Sequence, residues 1–97
     1  MLNNTQKAQL RKLANTLPAI GQIGKEGLSA NLFNFLDDAL ESHELIKIKI
    51  LPNCLLTLNE ISIELLRNLH CELVQTIGRV LILYRPSKEK RRIKLVK

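Results

Sequence analysis

The chain has 97 residues, enough for one modest core and too few for two domains. It is 45% apolar but only 3% aromatic, so its core is aliphatic, and no apolar run reaches the roughly 18 residues of a membrane span. The formal charge is +6; with a polar start unlike a signal peptide, and with two cysteines, Cys54 and Cys71, read as reduced thiols, a cytoplasmic location is expected.

That charge is unevenly placed. Arg85, Lys88, Lys90, Arg91, Arg92, Lys94 and Lys97 against Glu89 carry all of it, while the other 84 residues balance eight basic with eight acidic groups. A domain over residues 1–85 followed by a basic tail over 86–97 is the expected organisation. Such a tail is either a polyanion-binding arm or a solubilising terminus.

The spacing predicts a first helix from Asn4 to Asn15, with Leu10, Leu13, Ala14 and Leu17 as its apolar stripe and Lys7, Arg11 and Lys12 away from it. Lys7 and Arg11 are four apart and stack on one face, a repulsion that an anionic partner relieves. Pro18 ends the helix by about Thr16.

Ala19 to Ile23 reads as a short strand, followed by Gly24-Lys25-Glu26-Gly27. Ser29 then suits the N-cap of a second helix, whose stripe is Leu32, Phe35, Leu36, Ala39 and Leu40 and whose wet side is Asp37, Asp38 and Glu41. Phe33 falls off that stripe, as a contact residue or a lone exposed aromatic. From Glu44 to Leu51 the chain alternates, with Ile46, Ile48 and Ile50 on one face and Lys47 and Lys49 on the other: a half-buried strand that Pro52-Asn53 breaks.

Thr57 and Glu60 form a capping box for a third helix with Ile61, Leu65, Leu66 and Leu69 inward. Glu72–Ile77 and Val80–Arg85 are strands joined at Gly78-Arg79, where glycine suits the first central position of a type II′ turn. Val80 to Leu83 is apolar on both alternating sets, so this strand is buried on both faces and helices cover both sides of the sheet. The expected fold is α/β, in the order α-β-α-β-α-β-β.

The Gly-x-x-Gly loop opening onto a helix is the candidate site. Glycine tolerates positive φ and close approach of a partner, the first helical turn carries unpaired N–H groups with partial positive charge, and Lys25 adds a cation. Glu26 works against an anion there. A plain strand-to-helix turn is the alternative. The two histidines and two cysteines run His43, Cys54, His70, Cys71 with no metal-binding clasp. No catalytic motif is present, and the acids fall on helix exteriors. With Phe33, Phe35 and Tyr84 the only aromatics, the sheet cannot stack bases, so a nucleic acid would be held by its backbone, as by the Gly-x-x-Gly loop of KH domains.

Four blocks carry a resemblance. They are Leu10-Arg11-Lys12-Leu13-Ala14; Gln22-Ile23-Gly24-Lys25-Glu26-Gly27-Leu28; Ala39 through Glu44 to Lys49; and Gln75 through Gly78-Arg79 to Ser87. In this order and spacing the chain resembles the YhbY family, the stand-alone bacterial form of the CRM (chloroplast RNA splicing and ribosome maturation) domain. The resemblance implies a four-stranded mixed sheet similar to the C-terminal domain of translation initiation factor three. It also implies a non-enzymatic RNA-binding protein acting on large-subunit ribosomal precursors, with Gly24, Lys25 and Gly27 in the loop role and Arg11, Lys12 and Arg79 flanking. Two departures stand out: Asn15 where the family has histidine, and an unusually apolar stretch from Leu51 to Leu58.

The expected RNA-binding residues are therefore Gly24, Lys25, Glu26 and Gly27 with Lys7, Arg11, Lys12, Arg79, Arg85, Lys88, Lys90, Arg91 and Arg92. No cofactor, metal, membrane or small-molecule substrate is expected, and the chain is expected to be monomeric. The other reading is a protein-interaction module that docks through Phe33 and residues 51–58 while its tail tethers it to RNA.

Overall fold

The computed structural model describes residues 1–96; Lys97, counted above in the basic tail, lies outside them. Seven elements follow in the expected order: α1 (Asn4–Ala14), β1 (Ala19–Ile23), α2 (Ala30–His43), β2 (Leu45–Ile50), α3 (Leu58–Leu69), β3 (Glu72–Ile77) and β4 (Val80–Tyr84). The sheet runs β1-β2-β4-β3, with β1 parallel to β2 and the other two pairs antiparallel.

Local chemistry explains the boundaries. Asn3 and Gln6 form a capping box at α1, the Ser29 hydroxyl accepts from Leu32 N–H at α2, and Thr57 and Glu60 reciprocate at α3. Gly78 has φ +57 and Arg79 is not left-handed, as a type II′ hairpin requires.

Two cores lie on opposite faces of the sheet. α2 and α3 cover one, where Ile23, Ile46, Ile48, Ile50, Leu81 and Leu83 meet Leu36, Leu40, Ile61 and Leu65. α1 covers part of the other, packing Leu10 and Ala14 on Leu45, Val74, Ile82 and Tyr84. Successive residues of the central strand β4 serve different cores, which is why its apolar run is continuous.

Two stripe residues are corrected. Phe35 is 47% exposed while Phe33 packs against the core. Phe35 overhangs the edge strand β1, where a Cβ on Gly21 would come within 3.4 Å of its ring. Leu13 is 44% exposed, because α1 rests on the sheet through Leu10 and Ala14 and leaves Leu13 on the rim of a groove with Leu17 and Ile93. Glu44, expected at a strand start, instead caps α2 at φ +65 with its side chain fully buried.

Candidate nucleic-acid interface

Each glycine of the loop has its own structural reason. Gly27 donates its N–H to Gly24 C=O at 2.9 Å, closing a four-residue turn with Lys25 and Glu26 at the tip. Gly27 has φ +67, the left-handed region that costs other residues about 1–2 kcal/mol. Gly24 is a close approach: a Cβ there would lie 3.1 Å from Leu51 Cδ1 and 3.2 Å from Asn53 Oδ1. The Gly27 N–H is thus used internally. Among the described residues, the N–H groups of Lys25 and Glu26 at the tip, and of Ala30 and Asn31 in the first turn of α2, have no intramolecular partner.

Parallel β1 and β2 end together, and the β3–β4 hairpin turns at the same end. The Ile50 N–H donates to Arg79 C=O at 2.7 Å. Lys25 and Arg79, distant in sequence, therefore mark one end of the sheet.

The α1 face of that end is uncovered. Register pairs set Gln22 beside Lys49, Lys49 beside Val80, and Val80 beside Ile77; the next row holds Lys47, Ile82 and Gln75. With strands about 4.8 Å apart, each row is a shallow shelf some 15 Å wide at most. Gln6 and Gln9 of α1 face the other way, bonded to Val96 and Lys94. The 3.6-residue period then sets Lys7 and Arg11, both half-buried, on the flank toward the shelf, and Lys12, exposed, on the outer side. Lys47 and Lys49, which the sequence set on the open face of a half-buried strand, join Lys7 and Arg11 there. Only the sheet register could show that.

Arg85 does not belong to this surface. It is 9% exposed, with Nη1 donating to Asp37 Oδ1 (2.6 Å) and Leu69 C=O (2.9 Å) and Nη2 to Asp37 C=O. Its guanidinium ties β4 to α2 and α3, and the expectation of an RNA contact there is corrected.

Nor is the basic tail a free arm. The Glu44 carboxylate accepts from the N–H groups of Ser87, Arg92 and Ile93, while Glu41 accepts from Ser87 Oγ and Lys88 N–H. Ile93 and Leu95 pack against the α1-side core. Burial pushes the Glu44 carboxyl up, but the three backbone donors and the Arg92 charge outweigh it and leave the group below its ordinary value. The acids are therefore not all on solvated helix exteriors. Lys88, Lys90 and Arg91 stay exposed on this held segment, at the end of the sheet opposite the glycine loop.

Charge is segregated between the faces. The outer sides of α2 and α3 carry Asp37, Asp38, Glu41, Glu60 and Glu64 against Arg67, whereas Lys7, Arg11, Lys47 and Lys49 lie across the sheet from them. The zero net charge of residues 1–84 conceals a dipole.

These features define an α/β domain with one cationic face ending in a Gly-x-x-Gly loop. The chain belongs to the CRS1 / YhbY (CRM) domain family, which matches residues 2–85. It is 41% identical over 95 residues, 98% of this chain and 99% of the relative, to "Probable RNA-binding protein YqeI" of Bacillus subtilis. It is 38% identical over 88 residues, 91% of this chain and 89% of the relative, to an "RNA-binding protein" of Haemophilus influenzae. The solution structure of a hypothetical protein from Staphylococcus aureus superposes with a TM-score of 0.80 at 42% identity, covering 99% of this chain and 100% of that one.

Proposed function

We propose that this protein is a non-enzymatic RNA-binding protein that holds the RNA backbone on its α1-side face. The observation that carries the reading is the run of Lys25, Arg79, Lys49, Lys47, Arg11 and Lys7 along one face, from the glycine-loop end of the sheet to α1, while the helical face opposite is acidic. The free N–H groups at the loop tip and the start of α2 supply phosphate donors, and the cations supply the sequence-independent attraction. The names of the relatives agree with this reading. Ribosomal RNA in large-subunit precursors is the RNA we assign, as the family resemblance implies.

Fluorescence anisotropy with a single-stranded RNA across a salt series tests the mechanism. With about five to eight phosphates neutralised, log affinity falls against log salt with a slope of about −3.5 to −6. The Lys25→Asp/Glu26→Asp pair, which keeps both glycines, lowers affinity ten-fold or more, about 1.4 kcal/mol. A flat salt response, or unchanged binding by this variant, overturns the loop as the grip. Co-sedimentation with large-subunit precursors on gradients tests the ribosomal assignment.

One observation favours a second reading. Leu56 and Ile63 line a hollow with Glu60 and Glu64 on the acidic face, and Leu55, next to Leu56 in the chain, is 86% exposed. An apolar, acid-rimmed patch suits a basic protein segment. Association with a ribosomal protein that survives nuclease treatment and is lost in Leu55→Ser would support that reading.

A further inference from the structure

The end of the domain opposite the glycine loop holds a second cationic recess, lined by Tyr84, Arg91, Arg92, Ile93, Lys94 and Leu95. Its parts differ in availability. The Arg92 guanidinium donates to Glu41 C=O and Lys90 C=O and is committed to holding the tail. Arg91 has no hydrogen bond or ion pair among the described residues. Tyr84 is 4% exposed, yet its hydroxyl has no hydrogen-bond partner among them either, and it is not sealed off from the recess. The ring of Tyr84 is nearly buried while its hydroxyl opens to the recess, beside an exposed guanidinium that has no partner of its own among the described residues.

The geometry points to a phosphate site in this recess, in which Tyr84 Oη–H and the Arg91 guanidinium hold one RNA phosphodiester, with Lys94 at the rim. It rests on the RNA-binding reading above and extends it beyond α1. The glycine-loop end and this recess lie at opposite ends of β2, six residues or about 20 Å apart. Lys7 and Arg11 lie on the helix between them.

The site is prebuilt. Glu44 clamps Arg92 and Ile93 by their backbone, which fixes Arg91 next to Tyr84 without spending its side chain. Two carboxylates, Glu44 and Glu72, also face Tyr84. Glu44 is saturated by three backbone donors, and Glu72 Oε1 accepts from Leu2 N–H. Burial, and then the Glu44 charge, push the Tyr84 phenol up, so it remains a donor at neutral pH.

A neutral and a charged contact leave different signatures in a salt series, because only the cation displaces counterions. Binding of a 12-nucleotide single-stranded RNA is measured for wild type, Tyr84→Phe and Arg91→Gln, each also in the Lys25→Asp/Glu26→Asp background. Tyr84→Phe lowers affinity two- to five-fold with the salt slope unchanged. Arg91→Gln lowers affinity and flattens the slope by about 0.7. Both effects persist in the loop-substituted background, so a failed loop grip and a failed recess are read separately. Wild-type affinity in Tyr84→Phe overturns the site, even if Arg91→Gln flattens the slope, since the tail is then a diffuse cation. Titration with inorganic phosphate by NMR separates the two sources of the anion. Saturation of Tyr84 and Arg91 signals by free phosphate without a Tyr84→Phe effect on RNA overturns the RNA assignment.

Discussion

Glu44 holds Ile93. Its Oε1 accepts the Ile93 N–H at 2.7 Å and the neighbouring Arg92 N–H at 2.6 Å, while Oε2 takes the Ser87 N–H at 2.7 Å. This one carboxylate converts a chain terminus rich in lysine and arginine into a structured strap, at the expense of a positive φ at the end of α2. Glu44→Gln leaves a single acceptor oxygen facing three donors and brings in two donors of its own. We expect a loss of roughly 2–3 kcal/mol in urea unfolding, with faster proteolysis between residues 86 and 96.

The same contact has a pH signature. Glu44, Glu41 and Glu60 all lie below the usual 4.5 in the folded protein, through hydrogen bonds to their carboxylates. A depressed carboxyl contributes stability that is complete above its unfolded value and is lost as pH falls through the folded one. Stability is therefore flat above about pH 5.5 and declines below about 4.5, more shallowly in Glu44→Gln, as urea midpoints across a pH series would show.

Arg85 and Arg79 make opposite predictions despite identical side chains. Arg85→Gln removes bonds to Asp37 and Leu69 from a buried position and costs roughly 2–4 kcal/mol, while the folded fraction binds RNA as before. Arg79→Gln at the exposed hairpin tip leaves the melting temperature unchanged and weakens RNA binding.

The orientation of α1 ranks its cations. Arg11→Gln flattens the RNA salt slope by about 0.7, and Lys47→Gln or Lys49→Gln does likewise, whereas Lys12→Gln on the outer side has less effect. An equal effect of Arg11 and Lys12 would show that the helix acts as a diffuse charge and the shelf is not the RNA path.

Gly27→Ala strains a left-handed residue and costs about 1–2 kcal/mol, with Gly27→Asn milder. Gly24→Ala presses on Leu51 and Asn53 instead, so its loss is relieved by Leu51→Ala in a double-mutant cycle.

Much was legible in the chain because the signals were local. The Thr57–Glu60 capping box, the Ser29 cap, the glycine hairpin and the alternation around Lys47 and Lys49 each depend on residues within a few positions. Periodicity gave seven elements in order, and the doubly apolar run Val80–Leu83 implied helices on both faces. The exposure of Phe35 in place of Phe33 was not legible, because it depends on how far α2 overhangs the edge strand.

The sequence by itself determined the elements, the two-faced sheet and the glycine turn, since these follow from spacing, capping and backbone freedom. Tertiary structure alone decided what each charge does. Glu44 and the tail it grips are more than forty residues apart, Arg85 is buried because Asp37 and Leu69 meet over it, and Lys47, Lys49, Lys7 and Arg11 share a face through strand register and helix orientation. A charged side chain reads the same in sequence whether it is solvated, buried or opposite a partner, because its role is set by neighbours that only folding supplies.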